Sequence, residues 1–199
     1  FTIQPVNDVP VIQSMPTTTG LVNELYVYEI SGSDIENENI TYTFPGKPAW
    51  LTFIAQGPTG GRLSGNPDTG GQQDITVIAT DASGGTATQA FTIDVNTRPV
   101  LTQGTASLGE DEVAALPVAS VFSDADGDAI AELKITVLPK FGTLRSGNTV
   151  VVAQTPIPAS SFGTLVYQPD ANFTGKNTVR LIVSDEISYS LQDTYNAFN

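Results

Sequence analysis

Hydrophobic and polar positions alternate along this chain in short runs, and clusters of Gly, Pro, Asn and Asp separate the runs. The clear runs in the first half are Leu25–Ile30, Ile40–Phe44, Trp50–Ile54, Ile75–Thr80 and Ala87–Val95. In the second half they are Leu133–Leu138, Thr149–Ala153, Thr164–Gln168 and Asn177–Ser184. Alternation with period two, rich in β-branched residues and bounded by turn formers, predicts strands with one buried face. A helix needs apolar positions at i, i+3, i+4 and i+7 without breakers, and no run of ten residues offers that. The best approach to one, Glu110–Phe122 with its alanines, contains Pro117. Roughly seven strands per hundred residues is what a two-sheet sandwich requires, so the expected fold is all-β.

The strands fall into two copies. Phe1-Thr2-Ile3 and Phe91-Thr92-Ile93 lie 90 residues apart, and so do Ser33-Asp34-Ile35-Glu36 and Ser123-Asp124-Ala125-Asp126. Ile78-Ala79-Thr80-Asp81 and Ile182-Val183-Ser184-Asp185 lie 104 apart, which places an insertion in the second copy. A period this long means tandem whole domains rather than a solenoid. The expected division is 1–8 as the end of a preceding repeat and its linker, 9–96 as domain 1, and 97–199 as domain 2. The boundary falls at Asn96-Thr97-Arg98-Pro99. The chain opens inside a strand without an initiator Met, and the last strand of the second copy looks incomplete, so it reads as a piece of something longer.

Composition narrows the chemistry. The 199 residues carry 21 acids and 8 bases, a formal charge of −13, with no His and no Cys. Without Cys there are no disulfides, thiolate zinc sites or cysteine nucleophiles. Without His the commonest general base and most transition-metal sites are gone. An excess of acids argues against nucleic acid, whose phosphates need clustered Lys and Arg. No run approaches the ~18 apolar residues of a membrane span, so membrane insertion is not expected. At 40% hydrophobic residues the chain can still build real cores. The expectation is a non-enzymatic, oxygen-rich protein suited to hard cations, calcium above all.

The acids recur in pattern. The first copy has Glu24, then Asp34 and Glu36, then Asp81, with Asn7-Asp8 ahead. The second has Glu110-Asp111-Glu112, then Asp124, Asp126 and Asp128, then Asp185, with Asn96 ahead. Carboxylates at i and i+2 of a turn can converge on one calcium, and acids from other strand ends can complete its shell. The same residues are also the ordinary formers of solvated turns. Recurrence in both copies favours calcium. The loop is not an EF-hand, because Ile135 stands where the bidentate Glu is required.

With these motifs in view, the sequence resembles tandem bacterial cadherin-like domains. The first copy is similar to the dystroglycan-type cadherin module in Asn7-Asp8-Val9-Pro10, Ser33-Asp34-Ile35-Glu36, Ala49-Trp50-Leu51-Thr52-Phe53, Leu63-Ser64-Gly65-Asn66-Pro67 and Ala79-Thr80-Asp81-Ala82-Ser83-Gly84. The second is similar to the cadherin-like repeats of large bacterial surface proteins. It carries Phe122-Ser123-Asp124-Ala125-Asp126-Gly127-Asp128, Leu138-Pro139-Lys140-Phe141-Gly142-Thr143-Leu144, Leu165-Val166-Tyr167-Gln168-Pro169-Asp170-Ala171-Asn172-Phe173-Thr174-Gly175 and Val183-Ser184-Asp185. The resemblance implies two tandem Greek-key β-sandwiches, cadherin-like or immunoglobulin-like, at the cell surface or secreted, stiffened by calcium at the domain junctions. Asp34, Glu36 and Asp81 would serve the junction at Asn7-Asp8. Asp124, Asp126 and Asp185, with Glu24 from the first copy, would serve the junction at Asn96. The linker departs from the pattern, with Arg98 near where an acid is favoured, which implies a hydrated site or an ion held within the second copy. The implied partners are calcium, neighbouring repeats of the same chain, and a cell-surface protein or polysaccharide.

An alternative function is a carbohydrate-binding accessory module, if Tyr26, Tyr28 and Tyr42 face solvent. Trp50 reads as core, and Tyr189 and Tyr195 as exposed. Gly57–Gly65 superficially suggests a phosphate loop, but no helix pattern follows, so it reads as a turn. The sequon at Asn172 lies inside a family motif, so its structural role is favoured.

Overall fold

The computed structural model describes residues 6–101, 107–116, 118, 122–191 and 193–198, the last six by their backbone. The chain divides into two compact units, Phe1–Asn96 and Thr97–Asn199. The expected strand at Phe1-Thr2-Ile3 lies outside the described residues.

Among the described residues, unit 1 is a sandwich of eight strands: β1 (Val11–Ile12), β2 (Thr19–Leu21), β3 (Tyr26–Ser33), β4 (Thr41–Thr43), β5 (Thr52–Ala55), β6 (Gly60–Gly65), β7 (Gly71–Thr80) and β8 (Thr86–Asn96). One sheet runs β1-β3-β6-β5 and the other β2-β8-β7-β4. From β3 onward the chain changes sheet between β3 and β4, between β4 and β5 and between β6 and β7, as an immunoglobulin-like Greek key does. The first strand is split. β1 pairs antiparallel with β3, and β2 pairs parallel with β8 in the opposite sheet. Pro16, which lacks an N–H to give to a ladder, sits in the crossover between them.

Period-two alternation decides what is buried. Tyr26, Tyr28 and Ile30 of β3 face Ile75, Val77 and Ala79 of β7 and Ile93 and Val95 of β8 in one core. Three tyrosines that could have formed an exposed row therefore lie inside. Tyr26 and Tyr28 are 3% and 2% exposed. A buried phenol needs a partner, and each finds a loop carbonyl. Tyr26 donates to Thr17 O at 2.7 Å and Tyr42 to Thr59 O at 2.8 Å. Tyr28 reaches Ser14 O and Gln89 Oε1 at 3.1 and 2.7 Å. Burial, and after it the neighbouring Tyr28, push the Tyr26 and Tyr42 phenols above their ordinary pKa. Tyr26 and Tyr28 thus fasten the strand-switching segment to the core. Trp50 is half-buried against that core, edge-on to Tyr26 at 5.9 Å.

The glycine-rich run corrects the turn expectation. Only its start turns, and Gly60–Gly65 is the strand β6, between β3 and β5. Its glycines provide room. A Cβ on Gly65 would meet Trp50 O at 1.9 Å, and one on Gly61 would meet the Phe53 ring at 2.2 Å.

Unit 2 contains β9 (Val100–Leu101), β10 (Ala114–Ala115), β11 (Phe122–Ser123), β12 (Glu132–Val137), β13 (Thr143–Ser146), β14 (Thr149–Val150), β15 (Pro156–Pro158), a 3-10 helix (Ala159–Thr164), β16 (Leu165–Gln168), β17 (Asn177–Ser184) and β18 (Asp193–Phe198). Its sheets are β10-β16-β13-β14 and β15-β12-β17-β18, with β9 and β11 paired separately. Leu133, Ile135, Leu165, Tyr167, Val179, Leu181 and Val183 alternate into one core. The last strand is not missing: β18 pairs along β17 from Asp193 to Phe198. Tyr189 is not free either. Its ring lies 4.1 Å from Lys134 Nζ, its hydroxyl donates to Glu132, and its carbonyl accepts from Arg98 Nη1 at 2.8 Å. The side chain of Tyr195 lies outside the described residues.

Gly65→Ala should cost about 1–3 kcal/mol, because the obstructing atom is backbone and cannot rotate away. Thermal melting should show a clear drop for this variant and a much smaller one for Gly163→Ala, where nothing lies within 4 Å and the backbone is not left-handed.

Candidate metal centre

Two turns at matched positions carry the acids. In unit 1, Asp34 follows β3, and its Oδ1 accepts the backbone N–H groups of Glu36 and Glu38 at 2.9 and 3.0 Å. In unit 2, Asp124 follows β11, and its Oδ1 accepts those of Asp126 and Asp128 at 2.9 and 3.2 Å. Asn37 and Gly127, again 90 apart, take the left-handed conformation these turns need, with φ of 59° and 85°. Asp and Asn favour such turns because a short side chain can satisfy the backbone two residues on. One carboxylate oxygen closes each turn. The other, Oδ2, is buried without a hydrogen-bond partner in both Asp34 and Asp124. Asp34 as a whole is only 9% exposed. A buried carboxylate oxygen with nothing to accept from is costly, and a cation would satisfy it.

The second acid of each turn clasps the segment ahead of its unit's first described strand. Glu36 Oε2 accepts from Asp8 N at 3.3 Å. Asp126 accepts from Thr97 N and from Thr97 Oγ1, the latter at 3.1 Å. In unit 1 the β7–β8 turn joins the same end: Asp81 Oδ2 accepts from Asn7 Nδ2 at 3.1 Å, and Glu38 accepts from Ser83 N and Oγ at 2.9 and 2.7 Å. Burial alone would raise the Asp81 pKa, but hydrogen bonds from Asn7 and from the Gly85, Gly84 and Ser83 amides outweigh it and hold the carboxyl below its ordinary value. Asp8, Asp34, Glu36 and Asp81 are thus brought to one end of unit 1.

In unit 2 the convergence is tighter. Asp124, Asp126 and Asp128 each place a carboxylate oxygen within 4.8 Å of the others. Oxygens around a calcium at 2.3–2.6 Å can be separated by just such distances. No second group of three acids approaches as closely among the described residues. Asp185 is buried in its own turn, with Oδ1 accepting from Ile187 and Ser188 N at 2.8 and 2.6 Å and Oδ2 accepting from Ser188 Oγ at 3.3 Å.

The remaining candidates lie elsewhere. Glu24 is exposed in the tight turn after β2, and Asn96 ends β8, its carbonyl accepting from Val22 N at 2.9 Å. Both sit at the end of unit 1 opposite Asp34. Asp111 Oδ1 accepts from Asn172 N at 2.9 Å, at the end of unit 2 opposite Asp124. The sequence pattern did not single out Glu38, though it stands 90 residues before Asp128.

These features define a tandem immunoglobulin-like β-sandwich protein with an acidic turn at one end of each sandwich. Residues 9–96 match the family described as "Putative Ig domain", and residues 96–197 match "Bacterial Ig domain". The chain belongs to the bacterial Ig-domain family. Families of this kind are typically non-catalytic and usually belong to surface or secreted proteins. An endo-fucoidan hydrolase of glycoside hydrolase family 107 is 18% identical over 99% of this chain, with a TM-score of 0.44. The chain spans 30% of that hydrolase's length. The Ig1+Ig2 fragment of DIP-gamma is 9% identical over 96% of this chain and 98% of its own, with a TM-score of 0.47. The Ig1-2 module of the Drosophila receptor protein tyrosine phosphatase DLAR is 14% identical over 96% of this chain and 100% of its own, with a TM-score of 0.38. No curated protein matches the chain. Among the described residues no helix is long and apolar enough to cross a membrane.

The lowered Asp81 pKa has a fixed sign. Its contribution to stability is complete above the ordinary carboxylate range and is lost as pH falls through the depressed folded value. Melting temperatures against pH should therefore show wild type above Asp81→Asn at neutral pH and the two curves converging in acid.

Proposed function

We propose that this chain is a calcium-binding structural and adhesive repeat module of a larger cell-surface or secreted protein. The observation that carries the reading is the Asp124–Asp126–Asp128 turn. Its three carboxylate oxygens lie within 4.8 Å, and Asp124 Oδ2 is buried without a hydrogen-bond partner. Without an ion, three negative charges crowd one turn. Calcium would cancel that repulsion and complete its shell with backbone carbonyls and water. Asp126 also holds Thr97, where the linker leaves Asn96, so an ion here stiffens the linker itself. The Asp34–Glu36 turn, with Asp8 and Asp81 at the same end, is the corresponding site of unit 1. The physical role is mechanical: bound cations fix the acidic turns and the short segments they clasp.

The glycan-binding alternative rested on exposed tyrosines. Tyr26, Tyr28 and Tyr42 are buried with their hydroxyls engaged, so nothing on those strands favours it.

Calorimetric titration should show calcium binding in wild type and loss of the unit 2 site in Asp124→Ala. The affinity expected of such extracellular modules is about 10⁻⁴–10⁻³ M. Calcium at a hundredfold its Kd should add about 2.7 kcal/mol of stability, read as a higher melting temperature that a chelator reverses. X-ray scattering should show a stiffer chain with calcium. Unchanged melting and scattering on chelation would sink the proposal.

A further inference from the structure

We propose that a cleft at the end of unit 2 opposite the acidic turn binds a single neutral sugar ring of a glycan. It is a different site from the proposed calcium centre and does not depend on it. The cleft has a volume of about 170 Å³ and is lined by Leu108, Glu110, Tyr167, Pro169, Phe173 and Thr174, together with the backbones of Gly109 and Gly175. Sites that enclose a drug-sized ligand span about 300–1,000 Å³, so this one holds one ring and no more.

Its chemistry matches a pyranose. A sugar ring has apolar C–H faces and a rim of hydroxyls. The cleft has an apolar wall in Leu108, Pro169 and Phe173, and acceptors in the Glu110 carboxylate and Thr174 hydroxyl. Phe173 is stacked on Phe141 at 4.6 Å with the rings 22° apart, yet only Phe173 lines the cleft. One side of its ring is backed by Phe141 and the remainder is available to C–H groups. Glu110, with Asp111 and Glu112 beside it, disfavours anionic sugars and leaves neutral ones.

The platform is held before any ligand arrives. Asn172 N donates to Asp111 Oδ1 at 2.9 Å, and Phe173 N donates to Asp170 O at 3.1 Å. The Phe141 carbonyl accepts from Tyr167 Oη at 2.6 Å and from the buried Asn177 amide. Asp111, a calcium candidate by sequence, is here a positioning residue for the Phe173 loop. Preorganisation of this kind lowers the ordering cost that limits small ligands.

The test is amide-resolved NMR on the full chain in EDTA, which removes calcium from the outcome. Cellobiose, maltose and β-1,4-galactobiose are titrated to about 50 mM, above the millimolar Kd expected of a single ring. At least one should shift the amides of Gly109, Glu110, Thr174 and Gly175 and leave unit 1 unmoved. Phe173→Leu should weaken binding about tenfold and Glu110→Ala several-fold. If Phe173→Leu fails to fold, Glu110→Ala and Thr174→Val decide in its place. Absence of shifts at those amides with all three sugars overturns the inference, as do shifts confined elsewhere or affinities unchanged in the folded variants.

Discussion

The turn that leads out of an immunoglobulin-like strand leaves backbone N–H groups with no ladder to join, and here one aspartate oxygen takes two of them. Asp34 Oδ1 does this in unit 1 and Asp124 Oδ1 in unit 2, at the same two spacings. Much follows from that one closure. It sets the left-handed residue at Asn37 or Gly127, aims the next acid at the chain ahead, and strands the second oxygen of the same carboxylate in a buried position. The feature that makes the turn stable is the feature that makes it suited to a cation.

Most of the fold was legible because alternation reports burial directly. The runs at Tyr26–Ile30, Ile75–Ala79, Leu133–Ile135 and Val179–Val183 have apolar residues at every second position, and each became a strand with that face in the core. β6 was not legible. Glycine reads as a turn former, whereas Gly61 and Gly65 are there because Phe53 and Trp50 cross them, and a cross-strand neighbour leaves no mark in a single sequence. The tyrosines show the same limit. Alternation says that one face of β3 is buried, but which face depends on the second sheet.

The candidate site divides in the same way. Acids close in sequence inside one turn, Asp124, Asp126 and Asp128, were placed together by local geometry alone. Asp8 and Asp81 joined Asp34 through contacts across 28 and 74 residues, and only the family resemblance grouped them beforehand. Asp111 shares the composition of the cluster but not its end of the sandwich. Its partner is Asn172, in the loop after β16, the strand that β10 pairs with. Charge patterning finds acids, and strand direction decides which of them meet.

The split first strand of unit 1 has a mechanical meaning. β2 and β8 run parallel, with Thr19 beside Asp94 and Leu21 beside Asn96. Tension along the chain would enter β2 at its beginning and leave β8 at its end, in opposite senses along the same axis. The bonds between them would be loaded in shear, together, rather than peeled one after another. The tyrosine hydroxyls that tie the crossover to the core brace the segment through which that load would arrive.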